Sequence, residues 1–290
     1  MDAEAFLAWI TSAAEVIEAN RDHLTQLDAA IGDADHGVNL ARGFAAVLAA
    51  LGADAPGAAA RMTPGKILMV TGSTLISKVG GAAGPLYGTA FRQAGRALGH
   101  AADADLPALR AALEAALAGV QRLGAAREGD KTMVDALAPA TRALAKAVAE
   151  GASRDEALSA LAEAAAAGAA ATTPMQARKG RASYLGPRSV GHEDPGAVST
   201  ALILGALRDA ARAGGAGGAG GAARAGGAAR AGDAGPPGDA GPAGDGHSQP
   251  RQRAALVPGQ RSRVPVSSAR TAPGRRALRP GPATPPWPPR

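Results

Sequence analysis

The sequence predicts an all-α helical bundle in residues 1–212, followed by a disordered tail in residues 213–290. In the first segment apolar residues recur at the spacing of an α-helix, and no run alternates as a β-strand would. Beyond residue 212 the composition changes abruptly to glycine, alanine, proline and arginine. Because such a segment has almost no apolar side chains to bury, it cannot offset the entropy of becoming ordered.

Start and stop signals divide the first segment into about eight helices. Pro64 and Pro107 suit the first turn of a helix, and Ser153 with Glu156 has the form of a capping box. The predicted helices span residues 3–20, 39–52, 64–79, 85–99, 106–124, 131–150, 154–171 and 196–212. Alanine dominates them, so their axes can lie close together around a core that is thin per residue. Such a core often gains from oligomerisation, and a homodimer is one expectation.

The net charge of +6 comes from the tail. Residues 1–212 carry 20 Lys and Arg against 22 Asp and Glu, whereas residues 213–290 carry 11 Arg against 3 Asp. The predicted helical body is therefore slightly acidic, and its charge gives no reason to expect a nucleic-acid partner. Two interpretations of the tail stay open: a linker or anion-binding arm, and the product of readthrough or a shifted reading frame in a GC-rich gene.

The sequence also excludes several classes of site. The chain has no cysteine, so it has neither disulfides nor a thiolate metal site or nucleophile. Its first twenty residues carry acids where a secretory signal would carry basic residues. No apolar run approaches the roughly 20 residues that span a bilayer. A cytoplasmic location without membrane contact is the expectation.

Three carboxylates cluster in the segment LDAAIGDADHGVNLARGF, residues 27–44. Residues five apart on a helix point about 140° away from each other, so Asp28 and Asp33 can converge only if the chain turns at Gly32. With Asp35 they then form a site of the kind that Mg²⁺ prefers. The alternative is a solvated acidic loop that caps the next helix. An EF-hand is excluded, because the glycine comes one place early and no acid follows until Asp54.

Two further connections contain glycine clusters. In VGGAAGPLYG, residues 79–88, glycines precede a predicted helix, which is typical of phosphate bound by backbone N–H groups and also of an ordinary helix cap. GAAREGDKT, residues 124–132, resembles a Walker A loop with Asp130 inserted before Lys131 and Thr132. No strand precedes it, which argues against a P-loop NTPase.

The segment TTPMQARKGRASYLGPRSVGHEDPG, residues 172–196, is long for a connection between helices, and long structured loops are usually functional. It brings four basic residues into a slightly acidic body: Arg178, Lys179, Arg181 and Arg188. A solvated basic face is one interpretation. The other follows from charge: three aspartates and a nucleoside diphosphate bring about −6 and two Mg²⁺ bring about +4, so the remainder requires nearby basic side chains.

Four motifs together carry a family resemblance: GDADHGVN, GGAAGPLYG, GDKTMVDAL and ATTPMQARKGRASYLGPRSVGHEDPGAVS. In this order they resemble the nucleotide-binding L subunit of bacterial dihydroxyacetone kinase, over roughly residues 5–210. The resemblance implies a closed barrel of eight antiparallel helices that binds ADP and two Mg²⁺ in the loops at one end. Residues 213–290 have no counterpart in that family.

The resemblance also implies a role for particular residues. Asp28, Asp33 and Asp35 would be the metal ligands, and Arg181 would act in catalysis. The expected nucleotide-binding residues are His36, Gly37, Val38, Asn39, Ala82, Ala83, Gly124, Met133, Arg181, Asp194, Pro195 and Gly196. Relatives usually have a serine where this chain has Ala83, so here a hydroxyl is lost while the backbone N–H remains.

The implied reaction uses ADP as a bound coenzyme. A phosphohistidine on a multiphosphoryl-transfer subunit would convert it to ATP, and the γ-phosphoryl group would pass to dihydroxyacetone on a K subunit. Such a subunit works by positioning and electrostatic stabilisation, so it needs no nucleophile of its own. Two alternatives stay open: the nucleotide module of an ATP-dependent kinase for another triose, a tetrose or a fatty acid, and a non-enzymatic nucleotide sensor that contacts a regulator.

Overall fold

The computed structural model describes residues 1–222, the last eight by their backbone alone. The secondary structure of these residues is helical, with turns and loops between the helices and no β-strand, which confirms the all-α prediction. The nine α-helices of the described part are α1 (Ala3–Ala19), α2 (Arg21–Ile31), α3 (His36–Leu51), α4 (Pro64–Lys78), α5 (Ala83–Leu98), α6 (Leu106–Gly124), α7 (Val134–Ala149), α8 (Arg154–Ala170) and α9 (Pro195–Ala222). Two 3₁₀ segments accompany them, Ala59–Arg61 and Arg181–Ser189.

Eight of these helices close into a ring. From α3 to α9 each helix packs against the next, α9 packs against α1, and α1 returns to α3. Each of these helices follows its neighbour along the chain and packs against it as an antiparallel pair, and only the connection between α8 and α9 is long. The expected barrel of eight antiparallel helices is therefore confirmed, with α2 as an additional helix that packs mainly against α3.

Helix α2 is absent from the sequence-based list of helices, and this is the main correction to it. It begins one residue after α1 ends, and only Asn20, with φ −104° and ψ 10°, separates the two helices. The first predicted helix already ends at residue 20, but no helix was predicted for residues 21–31, because this polar segment buries only Leu24, Asp28 and Ile31 and shows no clear apolar stripe. Since Asp28 lies in the last turn of α2, the missed helix positions one of the expected metal ligands.

The interior is built from aliphatic and alanine side chains with a small aromatic cluster. Phe6, Trp9, Phe91 and Phe44 contact one another through edge and tilted rings, with centroid separations of 5.8 to 6.3 Å. The indole N–H of Trp9 donates to the carbonyl of Ile203 on α9, at 2.9 Å. The cluster thereby ties α1, α3, α5 and α9 together.

The predicted boundary at residue 212 falls inside α9, which continues to Ala222. The division into residues 1–212 and 213–290 therefore stays a prediction, and the expected disorder of the tail beyond residue 222 concerns residues outside the described part. Within residues 1–222 we find no helix that combines the length and the apolar character needed to cross a membrane.

Candidate functional site

The three clustered aspartates converge in the structure. Asp28 in α2 and the acidic turn (residues 32–35) each supply carboxylate oxygens, and one oxygen from each of Asp28, Asp33 and Asp35 lies within 4.8 Å of the others. Asp28 is only 8% exposed, whereas the other two are more accessible. Three hard oxygen donors at this separation fit a divalent cation such as Mg²⁺, which binds a few carboxylates and completes its shell with phosphate and water.

The acidic turn is held by its own backbone. One Asp28 carboxylate oxygen accepts from the N–H groups of Asp35 and His36, at 2.8 and 3.1 Å. The second oxygen of the Asp28 carboxylate would lie 2.0 Å from a Cβ added at position 32, so only glycine leaves room for this carboxylate. Ala34 has φ +61°, an uncommon conformation for a residue with a side chain. The turn is thus built around the Asp28 carboxylate.

A buried hydrogen-bond network joins the start of α3, directly after the acidic turn, to two other helices. His36 Nε2 lies 2.8 Å from the Ser199 hydroxyl, which lies 2.7 Å from the Tyr87 hydroxyl. Tyr87 also contacts the Thr200 hydroxyl and donates to the carbonyl of Gly196, both at 2.9 Å. Burial lowers the pKa of His36, which favours the neutral imidazole, and raises that of the Tyr87 hydroxyl. Helices α3, α5 and α9 are therefore fixed relative to one another.

The glycine turn (residues 80–84) lies beside the acidic turn and opens helix α5. Gly81 has φ +65°, and a Cβ on Gly84 would come within 2.2 Å of the Val79 carbonyl oxygen. No side chain caps the start of α5 at Ala82. The N–H groups of Ala83 and Gly84 are therefore available to an anion, since the first N–H groups of a helix have no partner within it and lie at its positive end.

The glycine turn and the acidic turn line one cleft of ≈ 270 Å³. Helices α5, α6 and α7 and the residue before α7 contribute apolar or small residues to its wall, namely Leu86, Val120, Gly124, Val134 and Met133. The cleft therefore combines carboxylates and free N–H groups with an apolar wall. This combination suits a ligand that has both a charged phosphate part and a flat apolar part.

The basic loop (residues 172–194) covers another side of the cleft. Arg181 Nη2 lies 3.0 Å from the Asp33 carboxylate, and the Arg181 side chain remains 66% exposed. Ala177 and Ala182 pack with Ile31 at the end of α2. The loop thus brings a guanidinium group to the expected metal ligands, as the charge argument requires.

Asp194 ends the basic loop and caps α9. Its carboxylate accepts from the N–H of Ala197, at 2.8 Å, and its own N–H donates to the Thr172 hydroxyl at 2.9 Å. Burial raises the pKa of Asp194 to about 7, and the nearby charge of Asp135 also raises it, whereas the Ala197 hydrogen bond acts in the opposite direction. Asp194 therefore belongs to the wall of the cleft and to the framework of the loop.

Lys131 is the residue whose position the sequence least suggested. It is 1% exposed, and its ammonium nitrogen lies within 3.1 Å of four main-chain carbonyl oxygens of the basic loop, those of Thr172, Met175, Ser189 and His192. The Walker-like pattern around Lys131 suggested a phosphate ligand at most. The sequence contained no signal for this arrangement, because every residue has a backbone carbonyl whatever its side chain.

The structure brings together most of the residues expected in the site. The cleft is lined by the three aspartates and by His36, Asn39, Ala82, Ala83, Gly124, Met133, Arg181, Asp194, Pro195 and Gly196. It does not bring Gly37 and Val38 to the cleft wall. Gly37 is buried where α3 meets α2, and the Val38 side chain is 48% exposed.

Comparison with known proteins places this arrangement in a family. The family model described as the DAK2 domain matches residues 30–209. The chain belongs to the DAK2 domain family. It is 42% identical over 204 residues to the "PEP-dependent dihydroxyacetone kinase, ADP-binding subunit DhaL" of Escherichia coli strain K12, covering 70% of this chain and 95% of that protein.

Larger proteins contain a similar domain. L-erythrulose 1-kinase of Mycolicibacterium smegmatis is 39% identical over 194 residues, which are 67% of this chain and 33% of that protein. The crystal structure of the dihydroxyacetone kinase from C. freundii in complex with AMP-PNP and Mg²⁺ superposes with a TM-score of 0.54 and 28% identity, over 70% of this chain and 33% of that chain. The DAK2 domain described above thus spans about a third of each of these longer kinases.

Proposed function

We propose that this chain is the ADP-binding subunit of a dihydroxyacetone kinase that depends on phosphoenolpyruvate. The main support is the convergence of Asp28, Asp33 and Asp35 beside the uncapped start of α5, in a cleft that also has an apolar wall. The E. coli relative that bears this name matches the chain over 95% of its own length. The proposal therefore needs no domain beyond those that this relative has.

The proposed coenzyme is ADP with two Mg²⁺. The bound ions would neutralise the phosphates and stabilise charge that develops during transfer of the phosphoryl group. In this scheme Asp28, Asp33 and Asp35 bind the ions, and the backbone around Ala82 and Ala83 binds phosphate. The base or sugar faces Gly124 and Met133. At the start of α3, His36 and Asn39 line the cleft and would contact the phosphates and metals, whereas Gly37 and Val38, which do not line it, would contribute only through their backbone.

Arg181 is the proposed catalytic residue. Its guanidinium lies 3.0 Å from the Asp33 carboxylate, and this supports the role, because a metal ion bound by Asp33 would bring the reacting phosphoryl group close to the guanidinium. A group at this position can stabilise the charge on a metaphosphate-like transition state without forming a covalent bond. Asp194, Pro195 and Gly196 close the cleft at the start of α9.

The proposed partners are a K subunit, which holds dihydroxyacetone, and a multiphosphoryl-transfer subunit, which carries a phosphohistidine. Phosphoenolpyruvate and free adenine nucleotides are cytoplasmic, so we also propose a cytoplasmic location. The thin alanine-rich core supports a homodimer as the form of the free subunit. Sedimentation of the free protein at several concentrations tests this last point directly.

A second candidate is the nucleotide module of an ATP-dependent kinase that acts on another sugar. The similarity to L-erythrulose 1-kinase favours it, because that protein contains a comparable domain within a longer chain. The two candidates differ in the phosphoryl donor. In the first, ADP stays bound through the cycle, whereas in the second free ATP replaces ADP in each turnover.

A reconstituted transfer assay separates the candidates. The subunit is loaded with a stoichiometric amount of ADP and mixed with a K subunit, dihydroxyacetone or erythrulose, and either a phosphorylated carrier or free ATP. We expect many turnovers of dihydroxyacetone per bound ADP with the carrier, and few with free ATP. Turnover only with free ATP would support the second candidate, and no transfer to either acceptor from either donor would contradict both.

A further inference from the structure

The ammonium group of Lys131 has more acceptors than it has protons. It lies 2.5 to 3.1 Å from four carbonyl oxygens of the basic loop, those of Thr172, Met175, Ser189 and His192. An ammonium group has only three N–H donors, so it cannot form four simple hydrogen bonds. Four carbonyl dipoles around one cation are instead typical of an ion site, in which carbonyl oxygens replace the hydration shell.

These four carbonyls span the basic loop. Thr172 lies at its start, Met175 follows one turn later, and Ser189 and His192 lie close to its end. Without a cation between them, four carbonyl oxygens that converge on one point would repel one another and lose their hydration. The ammonium group therefore holds together two ends of a loop whose ordering costs conformational entropy.

Lys131 connects this loop to the opposite wall of the cleft. Thr132 and Met133 follow it directly and line the cleft, while the loop itself carries Lys179 and Arg181 to the same cleft. Lys131 has φ +61°, and the buried Asp135 carboxylate stabilises the surrounding turn by accepting from the N–H groups of Gly129 and Thr132. The backbone around Lys131 thus stays in place independently of the lysine side chain.

We propose that Lys131 is a tethered monovalent cation, which holds the basic loop closed over the cleft, and that truncating its side chain leaves a site for K⁺ or NH₄⁺. Lys131 is in this sense a positioning residue for Arg181. The proposal that Lys131 closes the loop does not depend on the proposed function. Only the ADP·Mg²⁺ titration described below rests on the proposed function.

The test compares Lys131→Gly with Lys131→Met. Glycine readily adopts φ +61° and leaves the carbonyls facing an empty space, whereas methionine fills the space of the aliphatic stem without a charge. Trypsin cleavage after Arg178, Lys179, Arg181 and Arg188, followed by mass spectrometry without nucleotide, measures opening of the loop. Lys146→Met, which changes an exposed lysine on α7, is the matched control.

In sodium buffer we expect both Lys131 variants to be cleaved in the loop about tenfold faster than the wild type, because local opening becomes easier. Potassium or ammonium should restore protection to Lys131→Gly and should not restore it to Lys131→Met. Wild-type protection of both variants in sodium buffer would overturn the proposal, and so would loss of protection that neither K⁺ nor NH₄⁺ restores in a folded Lys131→Gly protein.

The absence of cysteine from the chain offers a second route if Lys131→Gly does not fold. The single thiol of Lys131→Cys is alkylated in denaturant with 2-bromoethylamine or with 2-bromoethanol, where the thiolate displaces bromide, and the protein is refolded. We expect the aminoethyl form to regain wild-type loop protection and the neutral hydroxyethyl form to lack it. Equal protection of the two forms would overturn the proposal.

The nucleotide arm repeats the comparison as ADP·Mg²⁺ titrations in potassium and in sodium. We expect Lys131→Gly to bind ADP·Mg²⁺ more tightly in potassium, with no such difference for the wild type. Cation-dependent loop protection in a protein that never binds ADP would contradict the proposed function and leave the tethered cation intact.

Discussion

The acidic turn and the basic loop contact the same cleft, yet different kinds of interaction hold them in place. The acidic turn is organised by neighbours in sequence, because Asp28 accepts hydrogen bonds from residues 35 and 36. The basic loop is held by Lys131, which contacts it from 41 to 61 residues away. One wall of the site is thus specified locally, whereas the other depends on the assembled barrel. We expect the first to govern metal affinity and most of the nucleotide affinity. We expect the second, whose closure adds to nucleotide affinity, to govern chiefly the rate of transfer.

The largest expected effect is on the acidic turn, where replacing Asp33 with alanine should weaken ADP binding. Even outer-shell partners of metal ligands typically cost about 10- to 100-fold in affinity, so loss of a ligand should weaken Mg²⁺-dependent ADP binding by more than about 100-fold. Calorimetric titration measures the ADP affinity. Asp22→Ala, which changes an exposed carboxylate on α2, is the control. Asp35→Ala should behave in the same way, and asparagine should rescue either position only in part. Wild-type affinity in Asp33→Ala and Asp35→Ala would remove the metal assignment.

On the other wall, Arg181→Ala should reduce the rate of phosphoryl transfer by about 10² and change ADP affinity much less. The reason is that the guanidinium meets charge that develops only as the phosphoryl group moves. Single-turnover transfer measures the rate, and Arg188→Ala in the same loop is the control. Lysine should substitute poorly, because it lacks the planar two-point contact. If affinity and rate fall equally, Arg181 is a ground-state binding residue and the two walls do not differ as described.

The acidic turn lies between α2 and α3, and Gly37 is the point at which these two helices approach closely. A Cβ at this position would lie 2.0 Å from the Arg21 carbonyl oxygen, so alanine should separate α2 from α3 and lower the free energy of unfolding by about 3 kcal/mol. Gly205→Ala in α9 is the matched control, because a Cβ there meets no atom within 4 Å. It should stabilise the protein by about 0.5–1 kcal/mol. Chemical denaturation measures both, and a neutral Gly37→Ala would show that the two helices do not need this close contact.

The smallest effect concerns Asp194, whose pKa of about 7 in the folded state lies above its ordinary value of 3.8. Between these values the unfolded chain releases a proton that the folded protein retains, so this group makes the free energy of unfolding fall as the pH rises from about 4 to about 7. Asp194→Asn keeps a side-chain oxygen for the α9 cap and removes the titration. The stability of the wild type relative to this variant should therefore decline across that pH range.

Denaturation of the protein without nucleotide at several pH values tests this. Buried His36 contributes a slope of opposite sign, because its lowered pKa makes the folded state resist protonation below pH 6.5. The difference between the wild type and Asp194→Asn cancels this contribution. A difference that does not change with pH would mean that Asp194 is already ionised at the start of α9.

The sequence could predict the parts of the site that depend on neighbouring residues, and it could not predict the contacts between distant parts of the chain. The aspartate cluster was recognisable because its residues lie within eight positions and a glycine marks the turn. The ring of eight helices followed from periodicity and the family resemblance, whereas α2 was missed because its polar sequence has too few apolar residues to show a helical pattern. The contact between Tyr87 and Ser199 spans 112 residues, and the Lys131 acceptors are main-chain atoms, so neither leaves a local pattern.

The most direct test of the account is the metal dependence of ADP binding to the wild-type protein. ADP is titrated with Mg²⁺ and with a chelator, and bound Mn²⁺ is counted by electron paramagnetic resonance before and after ADP is added. We expect ADP to bind only when the metal is present, and two ions to be retained for each bound ADP. Equal ADP affinity in the chelator, or a metal content that ADP does not change, would contradict the claim that the acidic turn and the cleft form one metal and nucleotide site.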